Sequence, residues 1–121
     1  MNTKRVLRCV VFVVAASLGG TTQAETVFVK YRGEVDLAPF TCNSTFTSSF
    51  IERICYDAKQ SYMLIKMKPG IWYQYCTVPS NIVGEFLLAN SKGSYYNDTI
   101  KGRFACRAAN TPAYENAKEN Q

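Results

Sequence analysis

Residues 62–77 read YMLIKMKPGIWYQYCT, and the alternation within them decides the fold. Met63, Ile65 and Met67 share one side of an extended chain while Leu64, Lys66 and Lys68 share the other, which predicts a strand over Tyr62 to Lys68. Beyond Pro69-Gly70, Ile71 to Thr77 predicts another strand, with Tyr73 and Tyr75 on one face and Trp72 on the opposite face. L-Proline followed by glycine favours a type II turn over the primed turns of the tightest hairpins, so a slightly longer loop is expected here.

Upstream, Phe50 to Tyr56 predicts a further strand, with Phe50, Ile54 and Tyr56 on one side and Arg53 on the other. Asp57-Ala58-Lys59-Gln60 then reads as a turn capped by Asp57. Downstream, Pro79 closes the extended region and the apolar period changes. Ile82, Val83, Phe86 and Leu87 line one side of a helix over Ser80 to Asn90. Asn90-Ser91-Lys92-Gly93 supplies the stop, with Gly93 suited to the left-handed position after a helix end. A short second helix or turn is expected over Tyr95 to Ile100, ended by Gly102, and Arg103 to Arg107 forms a last strand or extended piece. The expected fold is α+β, a small antiparallel sheet of about three to four strands covered by one amphipathic helix and a short second helix.

The N-terminus has the tripartite pattern of a signal peptide: cations at Lys4, Arg5 and Arg8, an apolar run from Cys9 to Leu18, then small and polar residues ending at Ala24. Cleavage is expected between Ala24 and Glu25. The apolar run falls short of the roughly 20 residues that span a bilayer, so no membrane span is expected after cleavage. Three of the 14 Lys and Arg lie in this segment, leaving 11 against nine Asp and Glu, so the net charge drops from +5 to +2. Basicity alone therefore points to no particular partner.

Residues 25–49 read as an N-terminal arm, extended over Val27 to Tyr31 and then polar, and residues 108–121 as a disordered tail. Four cysteines follow the signal segment: Cys42, Cys55, Cys76 and Cys106. An even count in a small exported domain reads as two disulfides. A metal site is not expected, because there is no C-x-x-C pair and no His. In a simple meander Cys55 and Cys76 lie two strands apart, roughly 9.6 Å, beyond the reach of a disulfide at about 7 Å. That leaves Cys42 with Cys55 and Cys76 with Cys106 as the preferred pairing, and Cys42 with Cys76 and Cys55 with Cys106 as the other.

Five elements recur in order from about Phe50 to Arg107: Tyr56-Asp57 after the first strand; Tyr73-Gln74-Tyr75; Val78-Pro79 before a helix holding Phe86; Ser91 to Asn97; and Ile100-Lys101-Gly102-Arg103-Phe104. Together they resemble the KTSC domain, a small module named from the C-terminus of some lysyl-tRNA synthetases and also found as a stand-alone bacterial protein. The resemblance covers residues 50–107. Through the synthetase it implies RNA binding. Cys55, Cys76 and Cys106, the cysteine-bearing arm and the signal segment depart from the usual pattern and read as an exported version, in a compartment where cellular RNA is rarely met.

Absence of His removes the commonest general base and the Ser/His and Cys/His nucleophile pairs. No Ser has a Lys three positions on, no C-x-x-C supports thiol redox chemistry, and Glu52, Asp57, Glu85 and Asp98 fall on different elements. The chain is therefore expected to be no enzyme and to need no cofactor. Candidate binding residues are Tyr73, Tyr75, Lys92, Tyr96, Asn97, Lys101 and Arg103. Tyr73 and Tyr75 are either a base-stacking platform or core aromatics beneath the helix. Lys92, Lys101, Arg103 and Arg107, with turns at Gly93 and Gly102, are either an anion site or a solvated basic edge. The expectation is an exported, periplasmic or secreted, non-catalytic module that binds a protein or another envelope component, with nucleic acid as the alternative partner.

Overall fold

The computed structural model describes residues 25–114. The signal segment expected over 1–24 and the end of the tail, 115–121, lie outside the described residues. The strands are β1 (Thr26–Val29), β2 (Gly33–Asp36), β3 (Thr41–Asn43), β4 (Ile51–Asp57), β5 (Tyr62–Met67) and β6 (Ile71–Tyr75). Two helices follow: α1 (Ser80–Leu88) and α2 (Lys92–Tyr95), the latter widening into a π turn over Tyr96–Ile100.

The fold is α+β, but the sheet has six strands rather than three or four, in the order β2-β1-β6-β5-β4-β3. It is also mixed rather than antiparallel, because β1 runs parallel to β6. The additional strands come from the segment expected to be an arm. At three or four residues each, they are too short to display a period of their own and exist through pairing with longer neighbours.

The meander β4-β5-β6 follows the alternation of its sequence. Ile54 lies opposite Ile65, and Met63 opposite Tyr75. One departure is a register shift between Ile51 and Arg53, a bulge that turns Ile51 as well as Ile54 toward the helices, where strict alternation would have placed Phe50 alone. The turn after β5 does span three residues, but it is not type II: Lys68–Pro69 is cis, Pro69 is third in the turn, and the Gly70 amide donates to the Met67 carbonyl at 2.6 Å.

The central strands β4, β5 and β6 are buried on both faces. On one, Ile51, Ile54, Met63, Ile65 and Tyr75 pack against Val83 and Phe86 of α1 and Ile100 of the π turn. On the other, Val29, Val35, Tyr62, Leu64 and Trp72 are covered by Leu37 and Phe40 from the loop after β2 and by Tyr114 near the chain end. Fully burying a side chain of this size contributes roughly 1.5–3 kcal/mol. Residues 108–114 are thus no loose tail: the Asn110 and Thr111 amides donate to the Arg107 carbonyl, and the Tyr114 ring lies 5.8–5.9 Å from those of Phe40 and Tyr62.

Of the two cysteine pairings, the structure has Cys42–Cys55 and Cys76–Cys106. Cys42 and Cys55 are direct cross-strand partners, with Cα atoms 4.0 Å apart. Gly93 does not take a left-handed conformation. It lies inside α2, whose N-cap Ser91 accepts a hydrogen bond from the Ser94 amide, and its lack of a side chain admits Phe50: a Cβ there would stand 2.7 Å from the ring. Among the described residues no helix is long and apolar enough to cross a membrane.

Candidate functional site

Alternation along β6 sets Tyr73 and Tyr75 on one face, and that face is the one the helices cover. Tyr75 is only 8% exposed, so its ring offers no stacking platform. Its hydroxyl shares a 2.7 Å hydrogen bond with that of Tyr96, whose ring stands edge-on to it at 6.0 Å. Burial first, and the Tyr96 hydroxyl next, push the Tyr75 phenol far above its ordinary pKa. The π turn makes this meeting possible: the Lys101 amide reaches back five residues to the Tyr96 carbonyl at 2.8 Å, and the widened turn lays the Tyr96 ring between Tyr75 and Phe50. Tyr73 is half-buried, with the Lys30 ammonium 5.5 Å from its ring centre. Trp72 is buried on the opposite face beside Arg53.

Lys92, expected among the anion-binding cations, is withdrawn from solvent. Its Nζ donates to the Ala89 carbonyl at 2.6 Å, at the C-terminus of α1, and stands over the Phe46 ring. A cation is favoured there, because the last carbonyls of a helix carry partial negative charge. Asn97 is exposed on the π turn, and Lys101, Arg103 and Arg107 are exposed on the segment after it. That segment is fixed at several points. Gly102 reverses the chain at φ 75°, the Cys76 amide donates to the Phe104 carbonyl at 2.9 Å, Cys76–Cys106 ties it covalently, and the Arg107 amide donates to Asn110 Oδ1 at 2.7 Å. Among the described residues no carboxylate lies within ion-pair distance of these three cations.

The structure therefore brings Tyr73, Tyr75 and Tyr96 together as half-buried and buried aromatics, sets Asn97, Lys101 and Arg103 on the adjoining exposed turn, and turns Lys92 inward. Of the carboxylates expected on different elements, Glu52 and Asp57 both lie on β4, Glu85 on α1 and Asp98 on the π turn. Glu52 pairs with Lys66 at 3.1 Å, Glu85 accepts from the Tyr95 hydroxyl, and Asp57 is buried.

Sequence reasoning missed a second polar cluster beneath the opposite face. Arg32 lies 5.2 and 5.3 Å from the ring centres of Tyr62 and Tyr114 and donates to the Tyr62 hydroxyl, which itself donates to Gln74 Oε1 at 2.7 Å. Tyr114 donates to Asp57 Oδ2 at 2.6 Å. Burial raises both phenols, Tyr114 further through Asp57. No local pattern links residues so distant in sequence, and the cluster acts as a polar clasp that closes the second core.

The KTSC domain family matches residues 47–104. A protein of Tsukamurella paurometabola, described without an activity, is 33% identical over 57 residues, which are 47% of this chain and 85% of that protein. The crystal structure of a KTSC domain protein from Yersinia pestis is 34% identical and covers 55% of this chain and 96% of its own, with a TM-score of 0.50. The matched range spans β4 through the π turn; β1–β3 and the end of the chain lie outside it. Each disulfide has one cysteine inside that range and one outside, so each ties the shared module to a flanking segment. With its central meander, its helices and its tyrosine pair all inside the matched range, the chain belongs to the KTSC domain family.

Proposed function

We propose that this protein works, after export, as a non-catalytic binding module whose basic edge engages an anionic surface on an envelope component. The observation that carries this reading is the set of exposed cations Lys101, Arg103 and Arg107 on a covalently fixed segment, without a carboxylate partner among the described residues. Cations already held in place lose little freedom when an anionic partner docks, and their summed field favours its approach. Export is supported by the two disulfides, which persist in oxidising compartments, and by the pattern of residues 1–24. A binding role rather than catalysis is supported by the lack of His and by the separate engagement of Glu52 with Lys66, Glu85 with Tyr95 and Asp57 with Tyr114.

The test is co-sedimentation of the purified, oxidised protein with an isolated envelope fraction, comparing the unaltered chain with Arg103→Glu/Arg107→Glu. Both positions are exposed, so the variant should fold. Affinity is expected to fall about tenfold, and to weaken steadily with salt, since each surface charge contact is worth roughly 0.5–1 kcal/mol. Equal binding by the two proteins would overturn the proposal. Bound material released by nuclease would transfer the same cations to a nucleic-acid ligand.

A further inference from the structure

The helical layer stops short of the first two strands. No residue of β1 or β2 belongs to the core under α1; that core draws its strand residues from β4, β5 and β6. Alternation and register show what the uncovered face carries. Phe28 of β1 has Glu34 of β2 opposite it, and Thr26 has Asp36. Val29 is level with Trp72 and both belong to the opposite core, so Phe28 and Lys30 share the open face with Ile71 and Tyr73. Phe28 is 69% exposed and Ile71 43%. Lys30 holds its ammonium 5.3 Å from the Tyr31 ring centre and 5.5 Å from that of Tyr73. Neither Lys30 nor Glu34 has an ion-pair partner among the described residues.

We propose that this face is a homodimer interface, packed on the same face of a second copy. A two-fold contact requires a self-complementary patch, in which each residue meets the partner of its own partner. The open face has that form: an apolar centre, a cation toward one side and a carboxylate toward the other. With strands about 4.8 Å apart and a rise of about 3.3 Å per residue, a two-fold axis in the contact plane that exchanges Lys30 with Glu34 of a second copy sets Phe28 over Phe28 and Ile71 over Ile71. The strands of the two sheets then cross near a right angle, one of the two ways in which sheet faces pack.

The charges also argue against other occupants. Glu34 and Asp36 would repel an anionic polymer, and Lys30 would repel a cationic one, whereas a second copy answers Lys30 with Glu34 and Glu34 with Lys30. Edge-to-edge pairing through β2 is disfavoured, because it would bring Glu34 and Asp36 against their own counterparts.

Sedimentation equilibrium of the oxidised protein, with no envelope material present, tests the proposal independently of the basic edge. A dimer is expected. Lys30→Glu and Glu34→Lys should each weaken it about tenfold or more by placing like charges in contact, and the double variant Lys30→Glu/Glu34→Lys should restore it. Phe28→Asp should give a monomer with unchanged far-UV circular dichroism, since that side chain is exposed. A protein monomeric at every concentration, a dimer indifferent to Phe28→Asp, or a double variant no better than the single ones would overturn the proposal.

Discussion

The hydroxyls of Tyr75 and Tyr96 lie 2.7 Å apart and join the end of β6 to the π turn. Both partners belong to the range matched by the family, and the pair stands where the exposed, basic segment leaves the packed part of the molecule.

This pairing gives the protein an alkaline limit. The folded state holds the Tyr75 proton well above the pH at which an unfolded tyrosine, of pKa about 10, loses it. Above that pH the folded state binds more protons than the unfolded one, so the stabilisation is complete below about pH 10 and is lost as pH rises further. Tyr62 and Tyr114 are shifted in the same direction. Thermal unfolding should therefore be nearly flat from neutral pH to about pH 9 and fall steeply beyond about pH 10, with a shallower fall in Tyr75→Phe. A midpoint indifferent to alkaline pH in the unaltered protein would contradict this assignment.

Gly93 is held to its size by Phe50. Gly93→Ala places a methyl group 2.7 Å from the Phe50 ring and should cost about 1–3 kcal/mol in denaturant unfolding. In Phe50→Ala the same glycine substitution should cost far less, because the obstructing ring is gone. Additive losses would show that the constraint lies elsewhere.

The two disulfides close loops of different length, with separations of 13 and 30 residues. On chain-entropy grounds, Cys42→Ser/Cys55→Ser should cost roughly 3 kcal/mol and Cys76→Ser/Cys106→Ser roughly 0.7 kcal/mol more. The second variant should also expose residues 104–114 to limited proteolysis, a change the first should not produce.

Asp57 is 3% exposed and accepts from the Lys59 amide at 3.0 Å and the Tyr114 hydroxyl at 2.6 Å. Tyr114→Phe should cost about 1.5–3 kcal/mol, as befits a hydrogen bond to a charged group. Asp57→Ala should cost more, because it also frees the turn after β4. A double-mutant cycle should show the two effects to be strongly non-additive.

The clearest signals in the sequence were those whose physics is local. Alternation alone set the faces of β5 and β6, and the change of period at Pro79 marked α1 with its buried Val83 and Phe86. Asp57 was recognisable as the cap of its turn, and the motif order identified the family. The bulge after Ile51 and the cis peptide before Pro69 depend on how neighbouring strands settle, and escaped that reading.

For the candidate site, sequence determined which residues were available and tertiary structure decided how they were used. Lys92 and Lys101 are equivalent as letters, yet one reaches the end of α1 and is buried while the other stays exposed. Tyr75 became core because a π turn delivered Tyr96 to its hydroxyl. The strands of residues 25–49, the Arg32–Tyr62–Tyr114 clasp and the open face around Phe28 exist only through contacts between segments far apart in the chain. Periodicity and turn chemistry record the interaction of a residue with its sequence neighbours, whereas closure of the second core depends on the free energy of bringing distant segments together.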